Sequence, residues 1–452
     1  MDTLIAARMQ MAFSLGFHII FACIGMVMPF FMAFAEWKWL RTREQVYLDL
    51  AKGWSKGVAI FFAVGAVTGT MLSFELGLLF PSFMEHAGPI IGMPFSWEGT
   101  AFFVEAIALG VFLYGWDKVS ERSHWLAGLI VGIAGLSSGL LVIAANGWMN
   151  SPTGFLYENG VFSNIDPVAA MFNDAWFSQV HHMLIASFIS VGFGVAGVHA
   201  LLILRGQNSI FHQKAFKIAM TFGAVAALLI PISGDAAAKD VAQRQPTKLA
   251  AMEAHFHTEK GAPFLIGGIP DEEQETVSYG IKIPYLLSFL AHGDIHAEVE
   301  GLDQTPKDER PPVAVVHYAF QIMIGLGSFL VLVGLLFLFF QWKKPHILVQ
   351  SWWLKLAVFC TPLGFIALEA GWTVTEVGRQ PWIIYKIMKT KDAATTMPGM
   401  QYSFYFTLFV FTVLAFILIG LMKRQFESVP KLYESGKIIS TTNSKPNKTT
   451  NK

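Results

Sequence analysis

Nine apolar runs, each long enough to cross a bilayer, constrain this chain more than any other feature. They lie at 11–35, 54–80, 96–116, 124–146, 178–204, 214–233, 313–340, 352–376 and 401–423. About 20 apolar residues are enough for a helix to span the hydrocarbon core. Lipid offers no partner to a bare backbone, so such runs must close their own hydrogen bonds as helices. They carry no barrel-like alternation of polar and apolar residues. The expected fold is an all-α integral membrane protein, a bundle of about nine transmembrane helices. Composition agrees, because 14% of the 452 residues are charged and 54% are hydrophobic, whereas soluble domains are roughly 25% charged. The net charge of zero gives no pull toward nucleic acid. Cys23 and Cys360 both lie in apolar runs, too few for a disulfide framework or a four-thiolate metal site. The first run lacks the basic flank and small-residue site of a cleavable signal peptide.

Lysine and arginine set the expected orientation. Lys38, Arg41, Arg43, Lys52 and Lys56 follow the first helix, and Lys118, Arg122, Arg205, Lys214, Lys217, Lys343, Lys344 and Lys355 fall in later connections on that side. The alternate loops 81–95 and 147–177 contain neither residue. The N-terminus is therefore expected outside and the C-terminus in the cytoplasm, with residues 426–452 a disordered cytoplasmic tail. The chain divides into helices one to six (1–233), a long polar outer loop (234–312) and helices seven to nine (313–425). A loop of that length is either functional or a structural cap. No internal repeat suggests an inverted-repeat transporter.

Ionisable and metal-ligating groups inside spans are costly and point to function. His18, Glu75, Glu98, Glu105, Asn146, His181, His182, Met323 and Glu376 come from seven helices, and all fall in the outer half of the membrane. Taken singly, each has a plain explanation: a hydrogen-bonded core histidine, an interfacial pair at His181 and His182, packing at Met323, a salt bridge between Glu376 and Arg379. Their shared depth argues for a common role. His and Met form the axial pair of low-spin haems, and a single ligand leaves a high-spin haem an open face. His86, His124, His199, His212 and His317 fall in loops or at helix ends and are expected not to be ligands.

The order FHII around His18, WEGTAFFVE (97–105), AANGWM (144–149), KLAAMEAHF (248–256), HYAFQIM (317–323) and GWTVTEVGRQPW (371–382) resembles subunit I of the cytochrome bd-type quinol oxidases, from about residue 8 to about residue 425. The last motif is the most specific. The resemblance implies a low-spin haem b, a high-spin haem b and a haem d near the outer face. It implies His182 and Met323 as the low-spin axial pair. His18 and Glu376 become the proximal ligands of the other two haems, in an order left open. The resemblance implies His182 rather than the adjacent His181, because the spacing from His182 to Gly197 and Gly206 fits the family's fifth helix better. Arg379, Trp372, Asn146 and Arg8 support the site, with Arg379 expected on haem propionates.

The outer loop becomes a quinol-binding loop of the short type, with Lys248 and Glu253 at the quinol. Gln321 stands where some relatives carry Arg. Glu98 and Glu105 are seven apart, so they share a helix face about 10 Å apart in depth. They are expected to relay cytoplasmic protons, with Ser137 and Ser138 beside Glu105; the alternative is hydrogen bonding at haem edges. The implied enzyme oxidises membrane quinol, menaquinol or ubiquinol, and reduces O2 to water. It generates proton motive force without pumping, in the cytoplasmic membrane of a prokaryote. Its implied partner is a second subunit in a heterodimer, with room for a small single-span subunit. Two other readings are a dihaem cytochrome that passes electrons from quinol without reducing O2, and a secondary transporter.

Overall fold

A computed structural model describes residues 1–434, with side chains to residue 426. In chain order the helices are α1 (Thr3–Thr42), α2 (Gln45–Leu79), α3 (Pro81–Tyr114), α4 (Glu121–Asn150), α5 (Pro167–Met171), α6 (Trp176–Leu204) and α7 (Ile210–Arg244). There follow α8 (Pro246–Met252), α9 (Leu286–His292), α10 (Val313–Lys343), α11 (Ser351–Cys360), α12 (Leu363–Val377), α13 (Thr390–Ala393) and α14 (Met400–Glu434). Among the described residues nine segments are long and apolar enough to cross a membrane, α11 and α12 counting as one. The nine-helix expectation is borne out.

Several helices outrun their apolar cores. The segment 81–95, expected as a loop, is helical. Pro81 opens α3 in its first turn, where a missing N–H costs nothing, and Pro89 and Pro94 lie further inside. Residues 234–244, assigned to the outer loop, extend α7, and Lys239–Asp235 and Arg244–Asp240 ion pairs at helical spacing brace that polar end. The eighth run is broken at Thr361–Pro362, because proline cannot donate a helical N–H. The tail expected from 426 is helical to Glu434, and 435–452 lie outside the described residues.

Small residues bring the helices together, as is usual where lipid gives no hydrophobic drive between them. A Cβ on Gly192 of α6 would lie 2.5 Å from the Cα of Gly223 on α7. On α4, Gly128, Gly132, Gly135 and Gly139 repeat at helical spacing and meet Phe112, Phe30 and Met26. The main core is built from α1, α2, α3, α4, α6, α7, α10, α11 and α12, while Phe103 and Ile107 on the other face of α3 and Phe406, Phe409 and Phe416 on α14 stay exposed.

The connection from α7 to α10 holds α8, α9 and an antiparallel hairpin, Phe264–Asp271 with Thr276–Ile283. Two side chains of α10 tie it down. His317 places one ring nitrogen 2.8 Å from the Met252 carbonyl and the other 3.0 Å from that of Gly267. Gln321 donates to the Leu265 carbonyl and accepts from the Gly267 N–H, both at 2.9 Å.

Candidate functional site

At the bundle end that carries this loop, neighbouring helices orient single ligand-type side chains. His18 on α1 places Nδ1 2.9 Å from the Thr68 hydroxyl on α2. That hydroxyl gives its own proton to the Val64 carbonyl, so its oxygen accepts from Nδ1 and the Nε2 lone pair is left to face a metal. A Cβ at Gly69 would come within 3.0 Å of the ring, so glycine makes the room. His182 on α6 repeats the arrangement, with Nδ1 3.0 Å from the Ser233 hydroxyl on α7. His181 turns to its own helix, 2.6 Å from the Phe177 carbonyl. Adjacent positions diverge by about 100°, so the two rings take different surroundings.

Met323 on α10 lies against α12, its sulfur 3.1 Å from where a Cβ of Gly371 would stand. Glu376 at the end of α12 accepts hydrogen bonds from Asn146 of α4 and from Arg379. Arg379 is 4% exposed, yet its Nε and Nη1 have no partner. Asn150 bonds back to the Asn146 carbonyl at 2.9 Å and accepts from Lys248 Nζ at 2.7 Å. One polar line therefore runs from α12 through α4 to α8. Arg8 reaches Gln380, next to Arg379, at 3.4 Å. Trp372, one turn before Glu376, packs half-buried against the main core.

In the loop, Lys248 lies buried with its stem over Gly378, where a Cβ would be 2.9 Å from Cγ. Burial, then repulsion from Arg379, brings its amine down to about 7, against the pull of Glu376. Glu253, also buried, accepts from the Leu265 N–H at 3.3 Å, and burial pushes its carboxyl up to about 8. The two face different ways. Lys248 lines a cleft of about 100 Å³ with Arg379, Glu309 and Tyr385, whereas Glu253 faces the hairpin.

Glu98 on α3 accepts from Ser138 at 2.7 Å. Glu105, 7% exposed, sits against Gly135 of α4. The serines expected beside Glu105 are placed otherwise: Ser138 serves Glu98, and Ser137 bonds the Ile133 carbonyl of its own helix. The histidines expected not to be ligands have other partners: His86 the Ser82 carbonyl, His124 Glu36 and the Phe112 carbonyl, His199 and His212 each other. All five lie in helices: His86 in α3, where a loop was expected, and His124, His199, His212 and His317 near the ends of α4, α6, α7 and α10.

The family pattern of cytochrome bd terminal oxidase subunit I matches residues 6–430. The chain belongs to that family. It is 34% identical to the "Putative cytochrome bd menaquinol oxidase subunit I" of Bacillus subtilis (strain 168), over 95% of this chain and 98% of that one. It is 31% identical to the cytochrome bd ubiquinol oxidase subunit 1 of the same organism, over 93% and 92%. The solved bd oxidase of Geobacillus thermodenitrificans superposes with a TM-score of 0.90 at 37% identity, covering 94% of this chain and 99% of that one.

A bd-type subunit I is a multi-pass membrane protein of a bacterial terminal oxidase. The family implies haem cofactors and a subunit II. It sets aside the transporter and the cytochrome that does not reduce O2. The donor set fits haem. Among the described residues no three His, Cys, Asp or Glu cluster as a bare-ion site, and an iron already held in a macrocycle needs only one or two axial ligands. Two imidazoles, each with Nδ1 against a hydroxyl, would suit that role. The unpaired nitrogens of buried Arg379 suit a propionate, since a guanidinium fork matches a planar carboxylate.

Two groups of the bd-type chain escaped the sequence reading. Glu369 on α12 has its Oε1 buried with no partner. Its signal was its place seven residues before Glu376. Gln321, noted only for the charge it lacks, anchors the hairpin. Nothing in local sequence announces a contact 54 or 56 residues away.

Proposed function

We propose that this subunit carries a low-spin haem b on His182 and Met323 and two high-spin haems, one b and one d, on His18 and Glu376. The observation that carries the reading is the Asn146–Glu376–Arg379 cluster, a carboxylate oriented from two sides beside a buried guanidinium with two unpaired nitrogens. Bound haem supplies the electron relay and the iron at which O2 is reduced. The chain's own residues do the rest. Thr68 fixes the tautomer of His18, and Ser233 orients the ring of His182. Arg379 holds a propionate, and Trp372 and Arg8 support the neighbourhood. Lys248 and Glu253 serve quinol in a short loop, where a base near neutral pH must take the protons that quinol releases with its electrons. The pull of burial on both groups supports that role. The relatives' names include both menaquinol and ubiquinol.

The basic connections put the loop end outside the cell and the C-terminus in the cytoplasm. Protons for water formation then come from the cytoplasm, along Glu105 and Glu98, and charge separation follows without pumping. The exposed apolar faces of α3 and α14 offer area to subunit II, and a single-span subunit has room beside them. The test is a reduced-minus-oxidised spectrum of the purified complex. Bands of low-spin b, high-spin b and the chlorin d are expected; a spectrum without the chlorin band would overturn the haem assignment.

A further inference from the structure

Glu369 is a carboxylate in a membrane span that the haem-ligand set does not use. Such a group is expensive in lipid and needs a reason. It lies seven residues before Glu376 on α12, hence on nearly the same face and about 10 Å further toward the basic end. It points at α1, where Oε2 is 3.2 Å from the position a Gly16 Cβ would take; Gly16 is two residues from His18. Its Oε1 is buried and unpartnered. Polar side chains lie on this side of the bundle, their hydroxyls also bonded to carbonyls one turn back on their own helices. Thr361, at the break between α11 and α12, presses its hydroxyl into the space left by Gly197 of α6. Ser190 lies on Gly364, its hydroxyl 3.1 Å from where a Cβ would stand. Ser187 donates to Cys23 at 3.2 Å, and Cys23 is in electrostatic range of Glu369. Broken backbone at membrane depth is tolerated where it is buried in protein or lines a wet cavity. Titratable groups on α1 and on the elements packed against α12 have other partners or other places: His18 on α1 bonds Thr68, His181, His182 and His199 on α6 and His317 on α10 bond elsewhere, Cys360 on α11 is buried eight or more residues away on the chain, and Lys355 on α11 is exposed.

We propose that Glu369 holds a proton on the α1 side of the Glu376 site and delivers it to the oxygen being reduced, recovering it along Cys23 and Ser187. The carboxyl O–H breaks as an O–H forms on oxygen whose electrons come from quinol. The carboxylate left behind takes a proton from water on that line, itself supplied from the basic end. This rests on Glu376 as a haem ligand. It adds a second approach, on the α1–α6–α12 side, to that of Glu98 and Glu105 on α3.

The experiment uses the complete complex carrying Glu369→Gln or Glu369→Asp. The Gln variant should keep its haem spectrum and its anaerobic reduction by quinol, lose O2 consumption by on the order of 10²-fold, and lose one protonated-carboxyl band from the redox infrared difference spectrum. The Asp variant should recover part of the rate and shift that band. Full turnover in Gln, or an unchanged infrared difference, overturns the proposal. Should Gln lose haem, Asp carries the same test, and loss of haem in both makes Glu369 structural and overturns it. The underlying reading fails separately: an unchanged haem spectrum in Glu376→Ala removes Glu376 as a ligand whatever Glu369 does.

Discussion

At Glu376 two helices and the turn after α12 converge on one carboxylate, and the same economy holds for the other candidate ligands. A hydroxyl on a neighbouring helix turns each imidazole, and a glycine makes space for each of His18 and Met323. The ligand roles can therefore be tested by changes that respect packing. Met323→Leu keeps volume and apolarity, a swap that typically costs under about 1.5 kcal/mol, but removes the sulfur. The low-spin haem should turn high-spin or shift strongly in potential, with quinol oxidation down about tenfold or more, while the high-spin bands stay. An unchanged low-spin spectrum would remove Met323 from the ligand set. Because His181 bonds its own helix and His182 faces Ser233, only His182→Ala should abolish the low-spin haem.

In the proposed function, the element that links substrate to cofactor is α8 with the hairpin behind it. Lys248 at one end of α8 joins the Asn150–Asn146–Glu376 line, and Glu253 at the other faces the hairpin that His317 and Gln321 hold against α10. A quinol here lies beside Met323's helix. Glu253→Gln should abolish quinol oxidation, keep all haems and still allow an artificial donor to drive O2 reduction; normal quinol turnover would reject the residue's role. The wild-type rate should climb as pH rises through about 8, where the buried carboxyl ionises, and the variant should lack that limb. The same shift has a sign in stability. Below the ordinary value of 4.5 both folded and unfolded loops are protonated. From there to about 8 the fold keeps a proton that the unfolded loop has released, so this contribution is lost as pH rises across that window. Lys248 acts oppositely above about 7, where the fold holds the amine neutral. Limited proteolysis of the loop across pH, in wild type and Glu253→Gln, separates the two.

Across the whole molecule, the proposed haem ligands gather at the loop end while the basic connections lie at the other. A proton taken from the basic side must cross most of the bilayer. Glu105 is the deeper of two carboxylates on one face of α3, tight against Gly135, and Glu98, bonded to Ser138, lies two turns nearer the start of α3. Neutral side chains cannot hold a proton midway. Glu105→Gln should slow O2 reduction and charge movement together while quinol still reduces the low-spin haem, and Glu105→Asp should be milder because it keeps a titratable group. Potential measurements on proteoliposomes check this; full charge movement in the Gln variant would send the protons by another route.

Nine spans and a long polar loop were legible from the chain alone, because burial in lipid demands runs of fixed length that local composition displays. The motif around Glu376 was legible too, since an ionisable residue in an apolar run stands out. Helix ends were not. Pro81 and the ion-paired end of α7 extend helices beyond their apolar cores, where hydropathy carries no signal. Nor could spacing alone pair Ser138 with Glu98 rather than Glu105, or set Gln321 against the hairpin. Those outcomes depend on which groups from distant parts of the chain meet, and only packing of the helices against one another decides that.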